Sequence, residues 1–473
     1  MDARREKVDE TTAAAGEAHG ASRWWILVAV GVGSFMSALD GSVVNALLPT
    51  MREALHTSVA GIEWVVSIYL LVVSGVLLGL GRLGDLRGHR DVYLLGFAGF
   101  VVTSALCGLA PSAPWLVAFR ALQALAAATL FANSPAILTR TFPPSERGRA
   151  LGLQSTMTYL GLSAGPPIGG ALAAHFGWRS IFFINVPVGL AGLALSRAAI
   201  PRDRPEGEVP PFDAAGAVLF FVGLFALLLA LDQGHAWGWT SPITLVLLVG
   251  SLLPLGAFVA VERRRRHPML DLSLFSRRAF TGSAFSAVAS YVGEYAVLFL
   301  VPFYLVQARG LPVERAGMLL AALPVLMMIA SPISGTLSDR MGSRGLTALG
   351  MLILTTGLVL LSRATEGTPL WKLAAALAVC GLGLGIFIAP NNSRMLGAAP
   401  PNRRGIASGV LAAARNVGMV LGVGLSGAVY TTVLARGGEG GVVRGASAGL
   451  LAAALVTGIA TVTSWLEGAA PPA

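Results

Sequence analysis

Apolar residues fall along this chain in long, nearly unbroken blocks separated by short polar breaks, without the one-sided faces of surface helices or the alternation of half-buried strands. Each block approaches the roughly 20 residues that an α-helix needs to cross a bilayer. The pattern predicts helices over 24–49, 60–80, 91–110, 114–139, 150–173, 178–199, 213–231, 242–261, 280–306, 316–337, 345–363, 370–390, 404–432 and 445–466. These fourteen spans make the expected fold class an all-α polytopic membrane protein. The first block follows a polar leader and is longer than a signal-peptide core, so it is expected to be retained as a helix. The leader, residues 1–23, is rich in Ala, Glu, Arg and Thr and is expected to be disordered.

Composition agrees: 55% of the 473 residues are hydrophobic and 12% are charged, where soluble domains carry about 25% charged residues. The net charge of +10 raises nucleic acid as a partner. The basic residues, however, sit in short loops and form no long basic face with interleaved aromatics, so that partner is excluded. With the N-terminus inside, about 24 of the 34 Arg and Lys residues fall on the inner side. That bias places both termini in the cytoplasm and the chain in the cell membrane as a multi-pass protein. The largest inner segment, 262–278, contains Arg263, Arg264, Arg265 and Arg266, which serve as a stop-transfer flank or as a contact for anionic lipid headgroups. Cys107 and Cys380 lie within spans, where they indicate packing and neither a disulfide nor a metal cluster; no cofactor is called for.

The chain also repeats itself. Gly81-Arg-Leu-Gly-Asp85-Leu-Arg-Gly88 after the second span matches Gly335-Thr-Leu-Ser-Asp339-Arg-Met-Gly342 after the tenth, an offset of 254. Gly161, Gly165 and Gly170 of the fifth span match Gly418, Gly422 and Gly427 of the thirteenth at an offset of 257. Offsets that agree within a helical turn and preserve helix direction indicate parallel repeats. Spans one to six and nine to fourteen are thus two copies of one unit. The domains that follow are the leader (1–23), an N-terminal six-helix bundle (24–200), two inserted helices with a basic linker (201–278) and a C-terminal six-helix bundle (279–473).

Several segments carry chemistry. The loop Gly81-Arg-Leu-Gly-Asp85-Leu-Arg87-Gly88-His-Arg90 joins a tight turn to charges that can form a network, and it recurs with Asp339, Arg340 and Arg344. The alternative is a loop whose charges are merely solvated. In the fifth span Gly161, Gly165 and Gly169 share one face, where a neighbouring helix can approach closely. Pro166 and Pro167 beside them remove backbone donors and are expected to bend that helix. The thirteenth span has Val423 and Gly424 in their place and should stay straighter. Arg120 lies inside the fourth span, where an unpaired charge costs about 2.5–3.5 kcal/mol, and so needs a cavity or a partner.

Taken with Leu39-Asp40-Gly-Ser-Val-Val-Asn45-Ala-Leu-Leu-Pro49 in the first span and Arg120-Ala-Leu-Gln123 in the fourth, these motifs resemble, over nearly the whole chain, the major facilitator superfamily. The likeness is to its fourteen-helix drug/proton antiporter family, the EmrB/QacA type. The resemblance implies two pseudo-symmetric six-helix bundles plus two inserted helices. It also implies a cytoplasmic gate at Gly81, Asp85, Arg87, Gly88, Arg90, Asp339 and Arg340, and an antiporter motif at Gly161, Gly165, Pro166, Gly169 and Gly170. Arg120, with Gln123 one turn away, is implied in proton transfer. Ala124 and Ala126 depart from the family's usual glycines in that helix.

Two acids stand out by depth, Asp40 in the first span and Glu294 in the ninth, again 254 residues apart. A carboxyl in apolar surroundings can load and release a proton near neutral pH, and it can instead bind a cationic substrate. Asp40 can also simply tie its helix to a neighbour, with Asn45 as a candidate partner. Arg415 in the thirteenth span is the charge available to balance Glu294. Asp40, Asn45, Gln123, Tyr291, Glu294, Tyr295 and Phe299 are therefore the expected substrate cavity, with Asp40, Arg120 and Glu294 coupling protons; the aromatics otherwise serve as packing.

The expected activity is export of hydrophobic, in some cases cationic, drugs or antibiotics in exchange for protons, by a monomer working through alternating access. A dedicated exporter of one metabolite or self-made antibiotic fits the same features. A non-transporting sensor would need a soluble output domain, and the longest loop has about 17 residues. An enzyme would need a nucleophile with its base or clustered metal ligands. No Gly-x-x-x-x-Gly-Lys-Ser/Thr loop occurs, so ATP is not the energy source.

Overall fold

The structure, a computed structural model, describes residues 2–203, 211–238, 240–265, 268, 270–311, 313–400, 403–435 and 440–466. Arg266 lies outside them, as do the side chains of residues 2–22; the backbone of the leader, expected to be disordered, continues the first helix back to Asp2. Among the described residues are fourteen long helices, beginning with α1 (Asp2–Ala54), α2 (Val59–Arg87), α3 (His89–Gly108), α4 (Ala113–Thr141), α5 (Arg147–Phe176), α6 (Ser180–Ala199) and α7 (Ala214–Trp237). They continue with α8 (Pro242–Arg264), α9 (Arg278–Phe303), α10 (Val313–Leu320 and Ala322–Met341), α11 (Ser343–Ser362), α12 (Leu370–Ala398), α13 (Arg404–Ala435) and α14 (Gly441–Leu466).

Thirteen of these are long and apolar enough to cross a membrane. The fourteenth, α5, is diluted by Gly, Ser, Thr and Pro, and it crosses packed along α1. It runs unbroken from Arg147 to Phe176 through Pro166 and Pro167. A Cβ on Gly161 would meet the Phe35 carbonyl oxygen, one on Gly165 the Ser42 side chain and one on Gly169 that of Val43, so the glycine face is what admits α1. Ser42 Oγ donates to the Leu162 carbonyl at 2.7 Å across this contact. The second half repeats the device: Gly418 and Gly422 of α13 lie against Val288, Tyr291, Val292 and Tyr295 of α9.

Local signals place the breaks. Ser58, Asp213 and Ser241 accept a first-turn amide of α2, α7 and α8. Gly88 and Gly342, at matching points of the two repeats, take φ of +97° and +83°, which a side chain would resist. The inserted α7 lies over the seam between α2 and α13, where Leu224 and Leu228 pack with Leu71 and beside Val417 and Val420.

The two bundles meet most closely at the arginine-rich end, where α2 crosses α13 and α5 crosses α10. A Cβ on Gly81 would strike the Gly405 carbonyl, and one on Gly335 the Gly148 carbonyl, so both crossings are backbone on backbone. One apolar cluster joins the halves here, running from Leu77 and Leu138 to Met395, Ile406 and Ala407. A leucine at Gly335 should hold this end apart. Maleimide labelling of a cysteine placed at Ser331 of α10, fully buried where that helix meets Gly152 of α5, is expected to rise severalfold in Gly335→Leu and to stay unchanged when the leucine replaces exposed Gly397.

Candidate functional site

Two groups of intramembrane polar residues stand out, one drawn from α1, α2, α3, α4 and α6 around Asp40 and one around Glu294 of α9. Asp40 of α1 and Arg120 of α4 meet at 2.5 Å with side chains 1% exposed. Two further donors reach the carboxylate: Gln123 Nε2 at 3.2 Å and Asn185 Nδ2, from α6, at 2.9 Å. Ser104 Oγ of α3 accepts from Gln123 at 2.8 Å and from Asn185 at 3.0 Å, which fixes both amides. Arg120 also donates to Gln123 Oε1 at 2.6 Å and to the Val65 carbonyl at 3.2 Å, with its guanidinium 4.2 Å from the Tyr69 ring centroid. Such a pair is tolerated in a dry interior only because the remaining donors and lone pairs are also satisfied.

Asn45 is exposed and takes no part in this cluster. Five residues of helix rotate it about 140° from Asp40. Asn185, Ser104 and Tyr69, which no sequence motif marked, occupy the places around the ion pair instead.

Glu294 occupies the matching position on α9, but its surroundings differ. It is buried, and its Oε2 has no hydrogen-bond partner among the described residues. Arg415 acts on it electrostatically without a direct bridge, its guanidinium stacked on Phe131 at 4.7 Å. Tyr159, reaching across from α5, and Tyr291 and Tyr295 complete the surroundings. Phe299 meets Phe303 with ring centroids 5.3 Å apart and packs, partly buried, against the core of the second bundle. One acid is therefore fully engaged and its counterpart retains a buried, unpartnered oxygen.

At the arginine-rich end the two repeated aspartates do the same thing in opposite directions. Asp85 of the first bundle accepts the first amides of α13, Gly405 at 2.9 Å and Ile406 at 3.0 Å. Asp339 of the second bundle accepts the first amides of α5, Gly148 at 2.8 Å and Arg149 at 2.9 Å. A carboxylate on the positive end of a helix dipole satisfies orphan donors and gains electrostatically. Thr156 Oγ1 to the Met328 carbonyl and Arg404 to the Thr139 carbonyl add bonds in the same half.

The loop arginines play other parts than a ring around Asp85. Arg90 donates to the Ile200 and Arg197 carbonyls at 2.7 and 2.9 Å, fastening α3 to the end of α6. Arg87 and Arg340 are exposed. Asp85 is faced instead by buried His89, at 3.3 Å, and by Arg140 at 3.7 Å. Asp203, beyond α6, accepts the His89 and Arg90 amides and pairs with Arg140 at 3.3 Å. Of the antiporter-motif glycines, Gly170 has open space around it.

Comparison with known proteins agrees with this architecture. The family model of the Major Facilitator Superfamily matches residues 30–423. The riboflavin transporter RibZ of Clostridioides difficile is 35% identical over 400 residues, covering 85% of this chain and 86% of that protein. The tetracenomycin C resistance and export protein of Streptomyces glaucescens is 34% identical over 409 residues, covering 86% and 76%. The crystal structure of the human organic anion transporter MFSD10 superposes with a TM-score of 0.69 at 16% identity, over 93% of this chain and 99% of that one. With two pseudo-symmetric six-helix bundles, two inserted helices and these relatives, the chain is a multi-pass membrane transporter, not an enzyme, and belongs to the major facilitator superfamily.

Proposed function

We propose that the chain exports small, largely hydrophobic compounds across the cell membrane in exchange for protons, as a monomer with both termini in the cytoplasm. The observation that carries this is the inequality of the two buried acids: Asp40 is held by three donors, while Glu294 keeps an oxygen without a partner. Carriage of drugs is supported by relatives named for resistance and export.

In this account the arginine-rich end faces the cytoplasm, and the closed caps of Asp85 and Asp339 put the carrier in its outward-facing half of the cycle. A proton arriving from outside neutralises Asp40 or Glu294. Neutral Asp40 no longer holds Arg120, whose charge then turns to Gln123, the Val65 carbonyl and the Tyr69 ring. Loss of that tie between α1 and α4 lowers the barrier to rocking the bundles, and the cytoplasmic end opens to take up cargo. The unpartnered Glu294 oxygen among Tyr159, Tyr291 and Tyr295 suits a cationic or hydrogen-bonding group on that cargo. A second reading, one dedicated metabolite, is favoured by relatives whose names specify a single compound, riboflavin or tetracenomycin C.

Inverted vesicles with an acidic interior should accumulate a cationic dye or antibiotic from a test panel, and dissipating the gradient should abolish uptake. Asp40→Asn should lose gradient-driven uptake while binding persists, and Glu294→Gln should lose uptake and weaken binding of a cationic dye as well. Uptake that ignores the gradient would end the antiport proposal, and response to one compound alone would select the dedicated exporter. Separately, Arg120→Ala strands a buried carboxylate and should destabilise the protein by about 3–5 kcal/mol. Adding Asp40→Asn should recover most of that loss, read as the midpoint of thermal unfolding in detergent.

A further inference from the structure

The two crossings that close the arginine-rich end are built alike but finished differently. Over the α2–α13 crossing lie α7 and the linker, and Phe258, Leu270 and Leu274 join Ile406 in one apolar cluster. The chain also supplies a charge partner there, since Arg403 pairs with Asp271 of the linker. Among the described residues no helix covers the outer side of the α5–α10 crossing, and a groove of about 480 Å³ stays open along it. Leu153 of α5 and Pro332, Ile333 and Leu337 of α10 line this groove, with Arg149 and Arg340 at its arginine-rich end. Ile333 is 63% exposed, as suits a wall that faces lipid tails.

The repeat sharpens the contrast. Asp339 accepts the Gly148 and Arg149 amides as Asp85 accepts those of Gly405 and Ile406, so Arg149 stands where the other crossing has Ile406. At the offset of 254 that matches Asp339 to Asp85, Arg340 stands where the other crossing has Leu86. Ile406 and Leu86 are 1% and 6% exposed, whereas both arginines are exposed. At these matched positions, charge sits only on the crossing that the protein leaves open. Neither arginine has a carboxylate partner among the described residues: Asp339 spends its two oxygens on the backbone amides, and Glu146 pairs with Arg23 at 3.2 Å. The Arg149 guanidinium lies 4.8 Å from the Trp24 ring centroid, and Trp24 packs edge-on against Phe142. That stack holds the guanidinium in place without neutralising it, on a residue type enriched at the level of lipid headgroups.

We propose that this groove binds one anionic phospholipid of the adjoining leaflet, its phosphate on Arg149 and Arg340 and an acyl chain along Leu153, Pro332, Ile333 and Leu337. From Arg340 to Pro332 is about 12 Å of helix, so a chain whose polar end meets the arginines runs down α10 into the apolar layer. Basic pockets between membrane helices suit such headgroups. A lipid of zero net charge would bring its ammonium group to the same two guanidinium groups, so net charge selects the occupant. One wall of the groove belongs to each bundle. The lipid therefore bridges the halves at this crossing, as α7 bridges them at the other through Leu71 on α2 and Val417 on α13. Parting the bundles takes the site apart, so bound lipid favours the closed arginine-rich end.

The test uses the full chain in bilayers that contain phosphatidylglycerol or phosphatidylcholine carrying the same photoactivatable acyl chain. Phosphatidylglycerol is expected to cross-link the groove residues of α5 and α10 severalfold more than phosphatidylcholine does. Arg149→Gln/Arg340→Gln should bring the two lipids level there, while cross-linking beside exposed Arg263, Arg264 and Arg265 stays unchanged. Inorganic phosphate should not compete. Spin labels on exposed Leu95 of α3 and Leu349 of α11, matched positions of the two repeats, read the separation of the bundles. Neither substrate nor gradient is needed, so failure of the export proposal would leave the result intact. Replacing phosphatidylcholine by phosphatidylglycerol should raise the ratio of short to long distances severalfold, and the double variant should not respond. Groove cross-linking indifferent to headgroup or to the two arginines, competition by inorganic phosphate, or a distance distribution that ignores the exchange of lipid would overturn the proposal.

Discussion

A helix that begins inside protein carries four backbone amides with no partner of their own, and away from water each must be satisfied or cost free energy. Where the two bundles of this transporter meet, that requirement is met across the seam. Asp85 of one half supplies the acceptors for α13, and Asp339 of the other half supplies them for α5. The glycine pairs Gly81–Gly405 and Gly335–Gly148 follow from it, since a carboxylate can reach those amides only when the backbones touch. Separating the bundles removes two cross-seam caps at once and leaves two helix starts to be satisfied by water. In the proposed cycle the closed end is therefore one of two discrete arrangements, not a point on a continuum.

The same constraint orders the membrane interior. Arg120 and Asp40 coexist there because Gln123, Asn185, Ser104 and the Val65 carbonyl complete their hydrogen bonding and the Tyr69 ring faces the guanidinium. That network ties α1, α2, α3, α4 and α6 into one block, while the α5 glycine face presses α1 from the other side. A change of charge on Asp40 is felt by every helix of the first bundle. Glu294 has no such set of partners, so pseudo-symmetry of backbone does not extend to pseudo-symmetry of chemistry. An unequal pair suits the proposed exchange of an ion for a cargo.

Spans, repeat and family were legible because they rest on local properties: apolar length, and glycine and aspartate at a fixed offset. Asp85 and Asp339 could be matched before their partners were known, and Asp40, Arg120 and Gln123 were singled out as charges and polar groups that a membrane does not accept unpaired. What stayed hidden depends on which helices become neighbours. Asn185 and Ser104 look like ordinary polar residues in apolar runs, and only the packing of α3 against α4 and of α6 against α1 and α3 brings them to Asp40. Asn45 was attractive by its nearness in sequence, but helical rotation turns it out. In the loop, Arg87 and Arg90 drew attention as charges near Asp85, whereas His89 and Arg140 are the groups that face it. The fifth helix was the weakest span by composition because its glycines and hydroxyls serve contact with α1 and α10.

The most direct test of the reciprocal seal is a double-mutant cycle on Asp85→Asn and Asp339→Asn, with the inter-bundle distance at the arginine-rich end measured by spin labelling in lipid nanodiscs. If both caps close one two-state seam, each single change should shift the population toward the open end. The double variant should then open by the product of the two equilibrium shifts or more, with both crossings parting together. Opening at the α2–α13 crossing in Asp85→Asn while the α5–α10 crossing stays shut would contradict the account, because it would make the two caps separate local contacts.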